Sequence, residues 1–160
     1  MPRYDNELLE NILYLAKQNN GPNALHGGLV GIDKVLWKTA VDQEAGTVTF
    51  SHISADGDEG YPGDILYNVQ YSLDSEGGVG IKFTGMVTAA TPVNLANHVY
   101  FNLAGHSSGA PGLNEHVMRM AANSFTPVSD KLIPTGEVAS VGGTVFDLRQ
   151  VVTMSESLFR

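Results

Sequence analysis

Apolar and polar positions alternate most strictly between Ile65 and Leu73, where Ile65, Tyr67, Val69, Tyr71 and Leu73 interleave with Leu66, Asn68, Gln70 and Ser72. A period of two sends successive side chains to opposite faces of an extended segment, so this run predicts a strand. Asp74-Ser75-Glu76-Gly77-Gly78 then turns the chain, and Val79, Ile81, Phe83, Gly85 and Val87 resume the alternation along a partner strand. Upstream, residues 35–41 and 47–54 are β-rich runs joined by Asp42-Gln43-Glu44-Ala45-Gly46, the pattern of a hairpin. Residues 5–17 carry Leu8, Leu9, Ile12, Leu13 and Leu15 at the mixed spacing of a helical candidate. Downstream, residues 107–114 read as a Gly/Ser/Pro loop, residues 116–122 alternate again, and residues 144–152 include a further strand. Residues 155–159 begin a short helix. Many short strands separated by turns predict an all-β chain, an antiparallel β-sandwich, in a single domain spanning residues 1–160.

Composition narrows the function. Hydrophobic content of 42% and charged content of 16% across 160 residues describe a globular domain with a sizeable core. A formal charge of −8 argues against nucleic acid or an anionic membrane as partner, because both require a basic face. No apolar run approaches the roughly 18–20 residues needed to span a bilayer. With no apolar signal region at Met1-Pro2-Arg3-Tyr4-Asp5 and no cysteine, a cytoplasmic setting is expected.

The candidate chemistry concentrates in residues 91–105, Thr91-Pro92-Val93-Asn94-Leu95-Ala96-Asn97-His98-Val99-Tyr100-Phe101-Asn102-Leu103-Ala104-Gly105. If this run is extended, Asn94, Ala96, His98, Tyr100 and Asn102 share one face. Two amides, an imidazole and a phenol are costly to bury without partners, and they suit a concave surface that hydrogen-bonds a polyhydroxylated molecule. A core histidine held by neighbouring amides would carry the same pattern.

Four segments in order are similar to the aldose 1-epimerase (galactose mutarotase) family. They are Asn19-Asn20-Gly21-Pro22-Asn23-Ala24-Leu25-His26-Gly27-Gly28; Asp56-Gly57-Asp58-Glu59-Gly60-Tyr61-Pro62-Gly63; the run from Thr91 through Asn97-His98 to Leu103; and Leu132-Ile133-Pro134-Thr135-Gly136-Glu137 with Phe146-Asp147-Leu148-Arg149. The resemblance covers nearly the whole chain from about Ile12, but only part of a family member, whose N-terminal and C-terminal portions find no counterpart. It implies the family's large curved supersandwich, here incomplete, with a strand over residues 12–16 in place of the helical candidate.

The activity it implies is isomerisation between the α and β anomers of hexoses such as galactose and glucose, with no cofactor and no metal. By resemblance His98 matches the general acid, and His26 binds the sugar. Asn97 is a further substrate-binding candidate beside His98. Mutarotation opens the pyranose ring by protonating the ring oxygen while another group takes the anomeric hydroxyl proton. Imidazole is suited to this, with an unperturbed pKa of about 6.5. The family's partner base is a glutamate near the C-terminus of full-length members, and no position here matches its motif. Hence the alternative expectation is a non-catalytic carbohydrate-binding chain.

Three other patterns carry less. Asp56-Gly57-Asp58-Glu59-Gly60 fails as a calcium loop, since Tyr61 and Tyr67 fall where glycine and glutamate are required; it reads as an acidic turn, structural or at a site rim. Gly105-His106-Ser107-Ser108-Gly109 fits the nucleophile-elbow spacing, but that motif needs a strand before and a helix after it, and Ala110-Pro111-Gly112 argues against the helix. His26, His52, His98, His106 and His116 form no His-x-x-x-His pair, and His52, His106 and His116 take no assigned role. Tyr67 and Tyr71 read as core.

Overall fold

A computed structural model describes residues 17–155, which fall into two compact units divided between Asn97 and His98. The helical and strand alternatives for residues 5–16, and the helix expected over residues 155–159 beyond its first residue, lie outside the described residues. Its regular elements are mostly strands, with little helix.

The first unit is built on a four-stranded antiparallel meander in the order β1 (Lys38–Asp42), β2 (Thr47–Ser54), β3 (Ile65–Leu73) and β4 (Val79–Val87). These are the expected strands, with β1 beginning three residues later than the run that predicts it. Aspartates close the two tight hairpins, β1–β2 and β3–β4. Asp42 Oδ1 accepts the Ala45 N–H at 2.9 Å, and Asp74 Oδ1 accepts those of Glu76 and Gly78 at 2.9 and 2.7 Å. An aspartate that bonds backbone two to four residues ahead mimics a turn and fixes where the strands reverse.

Register then sorts the faces. Phe50 pairs with Val69 and Val69 with Phe83; Val48 pairs with Tyr71 and Tyr71 with Ile81, giving apolar rows across three strands. The opposite face stacks Thr49, Gln70 and Lys82 beside Ser51, Asn68 and Thr84. Its cross-strand bonds, Ser51 Oγ to Asn68 Oδ1 at 2.6 Å and Gln70 Nε2 to Thr49 Oγ1 at 3.3 Å, satisfy groups that packing would strand. Burial is deepest at the start of β3, at Ile65 and Tyr67.

In the second unit, β5 (Val117–Met118) pairs with β8 (Val152–Thr153) and β6 (Ser124–Phe125) with β7 (Ala139–Ser140), all antiparallel. Val141 and Val152 are buried, and the rings of Phe125 and Phe146 lie 4.7 Å apart.

Three expectations need correction. Residues 91–102 form no strand: they are extended or irregular, and no strand ladder among the described residues includes them. Alternation supplies the faces of a strand but not the ladder that defines one. The expected loop over residues 107–114 instead holds a 3-10 turn (His106–Ser108) and a short helix, α1 (Gly109–Asn114). Pro111 is tolerated there because it sits in the first turn, where the missing N–H has no intrahelical acceptor. Residues 116–122 and 144–152 shrink to two-residue strands, β5 and the edge of β8.

Candidate active site

His26 lies on an exposed loop whose backbone is left-handed at three consecutive positions, His26 (φ 53), Gly27 (φ 83) and Gly28 (φ 121). Neither helix nor strand can pass through such a run, and the two glycines remove the steric objection at two of its three residues. Asn19 holds one side of the loop: its Oδ1 accepts the Leu25 N–H at 2.6 Å, and its Nδ2 donates to the carbonyls of Leu25 at 2.7 Å and Gly28 at 2.5 Å.

The other side is held by Glu59, whose carboxylate accepts the N–H groups of Leu29 at 2.9 Å and Val30 at 3.1 Å. Glu59 is 6% exposed and is the buried charged residue among those described. Its backbone is also left-handed (φ 51), inside the 3-10 turn Asp58–Gly60. The Leu29 N–H holds its pKa below the usual carboxylate range; burial opposes this, and the Val30 N–H, Lys17 and Lys34 reinforce it. Lys17 reaches to 3.9 Å with its ammonium and donates its backbone N–H to the Glu59 carbonyl at 2.9 Å.

Asn97 ends the first unit. Its Nδ2 donates to the Tyr71 hydroxyl at 3.0 Å, so Tyr71 is a half-exposed hydrogen-bonding residue on β3, edge-on to Phe50, rather than the core residue expected; Tyr67 is core.

His98 opens the second unit, exposed, with its ring centroid 5.1 Å from that of Tyr100 at an interplanar angle of 34°. Side chains two apart share a side here as they would in a strand, although no ladder forms. Asn102 closes the segment that follows: its Oδ1 accepts the Ala104 N–H at 3.2 Å and its Nδ2 donates to the Gly105 carbonyl at 2.9 Å. Ser108 Oγ donates to that same carbonyl at 2.8 Å. Asn102 thus shapes the loop, and no strand precedes Ser107, so the nucleophile-elbow geometry is not built.

Two residues that sequence reasoning left without a part hold these loops. Glu59 is one, and His116 is the other, its Nε2 accepting the Leu103 N–H at 2.7 Å. Both act on backbone groups far along the chain, which no local spacing announces. Arg149 is occupied nearby in sequence, forking onto Asp147 through Nε and Nη2 at 2.8 Å each. An exposed imidazole on a loop is able to donate or accept a proton, and two such loops are on hand, each fixed by buried or half-buried acceptors.

The family model described as Aldose 1-epimerase matches residues 6–159. The chain is 49% identical over 140 residues to the galactose mutarotases of Bos taurus and of Homo sapiens, in each case over 88% of this chain and 40% of the relative. It is 40% identical over 131 residues to the aldose 1-epimerase of Escherichia coli (strain K12), over 82% of this chain and 37% of that one. A solved aldose epimerase homologue from C. elegans superposes with a TM-score of 0.75 at 33% identity, covering 87% of this chain and 41% of the other. A galactose 1-epimerase from Lactobacillus acidophilus NCFM does so with a TM-score of 0.76 at 30% identity, covering 89% and 41%. The chain therefore spans about 40% of the length of the curated relatives it matches.

Proposed function

The chain belongs to the aldose 1-epimerase family, and from that membership we propose that its activity is mutarotation, interconversion of the α and β anomers of an aldohexose such as galactose. The observation that carries this reading is the exposed imidazole of His98, set in a segment that falls within the match to the galactose mutarotases.

In this reading His98 delivers a proton to the pyranose ring oxygen as the bond from that oxygen to the anomeric carbon breaks. The anomeric hydroxyl loses its proton to a base, and the open-chain aldehyde recloses after rotation to expose its other face. A positioned acid of this kind contributes on the order of 10²–10⁴ in rate. His26 and Asn97 hold sugar hydroxyls. The base is a glutamate by family resemblance, and no residue of this chain matches its motif.

The four-stranded sheet is read as part of one aldose 1-epimerase domain, a layer of the family's supersandwich. Its apolar rows support this, since Phe83 and Ile81 keep 37% and 38% of their surface exposed, as a layer awaiting a facing sheet would. Among the described residues no helix is long and apolar enough to cross a membrane. A cysteine-free chain suits the cytoplasm.

A second reading, carbohydrate binding without turnover, is favoured by the unmatched base. Polarimetry of freshly dissolved α-D-galactose separates the two. Acceleration over the spontaneous rate supports the epimerase, saturable binding at the background rate supports the binding module, and neither result removes both.

A further inference from the structure

We propose that Asn19 and Glu59 are positioning residues for His26, a pair of clamps that fix the imidazole-bearing loop from its two sides. The functional consequence rests on the reading of His26 as a sugar-binding residue; the clamps themselves rest on geometry.

Residues 25–30 have an unusual problem to solve. Three left-handed residues in a row make a backbone that no regular ladder can hold, and His26, which has a Cβ, is among them. A conformation of this type is strained for a non-glycine residue and persists only where surroundings over-determine it. The surroundings do so here. On the N-terminal side, the Asn19 amide uses both its oxygen and its nitrogen, bonding Leu25 N–H, Leu25 C=O and Gly28 C=O. On the C-terminal side, the Glu59 carboxylate takes the N–H groups of Leu29 and Val30, one on each oxygen. Five hydrogen bonds from two side chains therefore bracket His26 and Gly27.

Glu59 is over-determined in its turn. A buried carboxylate is costly unless hydrogen-bonded and compensated, and this one has two backbone donors and the Lys17 ammonium at 3.9 Å. Its left-handed backbone is held by Lys17 N–H on its carbonyl and by the turn bonds Gly60 N–H to Gly57 C=O and Tyr61 N–H to Asp58 C=O. Gly28 fits under it closely: a Cβ there would stand 2.7 Å from Glu59 Cδ. Bonds on both sides of residue 26 hold the backbone that carries its imidazole, which limits the ordering entropy lost on capture of a ligand.

The test uses the full 160-residue chain with two variants, Glu59→Gln and Asn19→Ala. The carboxamide keeps one acceptor oxygen but points an N–H at a backbone N–H, so one of the two bonds is lost. Asn19 is exposed, so its variant provides a readout if the buried substitution does not fold. By NMR, Glu59→Gln is expected to speed amide exchange at Leu29 or Val30 by about tenfold or more. Both variants are expected to move the His26 ring signals while leaving the amide pattern of β2, β3 and β4 in place. His26 signals unmoved in both variants overturn the proposal.

A galactose titration separates positioning from general support. Glu59→Gln is expected to weaken binding in the native background and to cause no further loss in a His26→Ala background. Equal losses with and without His26 also overturn it. If the unsubstituted chain shows no galactose-dependent shifts, the sugar-site reading falls, and the clamps are judged on the ring signals and exchange rates.

Discussion

The Nε2 atom of His116 accepts the Leu103 N–H at 2.7 Å, while its Nδ1 faces the carbonyls of Gly112 and Leu113 at 2.9 and 3.1 Å. An acceptor at Nε2 and two carbonyls at Nδ1 leave one consistent assignment, the neutral ring with its hydrogen on Nδ1. The side chain thereby ties α1 to the segment that runs from His98 to Gly105, which has no ladder of its own. We expect His116→Phe, which keeps a planar ring but loses the contacts of both ring nitrogens, to destabilise the chain by about 1–3 kcal/mol. His116→Gln, which can place an oxygen near Nε2, should recover part of that. Urea unfolding compares the two, and equal midpoints for Phe, Gln and the native residue would show that the bond contributes nothing.

Glu59 makes the His26 loop sensitive to acid. Its folded pKa is depressed, chiefly by the Leu29 N–H, so its contribution is fully present above the ordinary glutamate value of about 4.3 and is lost as pH falls through the lower folded value. Amide protection at Leu29 and Val30, corrected for intrinsic exchange, should therefore hold from neutral pH down to about 4.3 and decline below it. In Glu59→Gln the decline should be absent.

Gly28 and Gly57 both have positive φ, 121° and 80°, but differ in what surrounds them. A Cβ at Gly28 would collide with the Glu59 carboxylate, whereas one at Gly57 meets nothing within 4 Å. Gly57→Ala is expected to cost about 1 kcal/mol, the backbone penalty alone. Gly28→Ala should cost at least about 2 kcal/mol more, since Glu59 has no room to withdraw without giving up its bonds. A thermal melt giving the same loss for both would contradict the packing seen around residue 28.

Packing along the meander is uneven. Ile65 is 2% exposed at the start of β3, and Val79 is 65% exposed at the start of β4. Ile65→Ala should cost about 2–5 kcal/mol and Val79→Ala less than about 0.5 kcal/mol, measured by chemical denaturation.

For the proposed activity, His98→Ala should lower the catalysed rate of galactose mutarotation by about 10² or more, read by polarimetry against the spontaneous rate. Retention of the full rate would assign the proton transfer elsewhere.

Local pattern was enough for the meander. Alternation along Ile65–Leu73 and Val79–Val87, with Asp42 and Asp74 at the bends, specifies strands whose partners are their sequence neighbours. Over residues 91–102 a shared face builds no strand, because a strand there would need a ladder and none among the described residues includes the segment. Proline at residue 111 argued against a helix and was overridden, since first-turn N–H groups need no acceptor.

The candidate histidines were legible in residue type and order: His26 and His98 stand out as imidazoles within family-like segments, and the structure leaves both exposed. What holds His26 in place was not legible. Asn19 and Glu59 act by donating to and accepting from backbone groups six to thirty residues away, and His116 does the same for Leu103. Sequence by itself determined the strands that pair with their neighbours and the family to which the chain belongs, since both are written in short-range pattern. Only the tertiary structure decided which polar side chains brace the histidine loops, because a hydrogen bond to a distant backbone group depends on where folding brings the two and leaves no period behind.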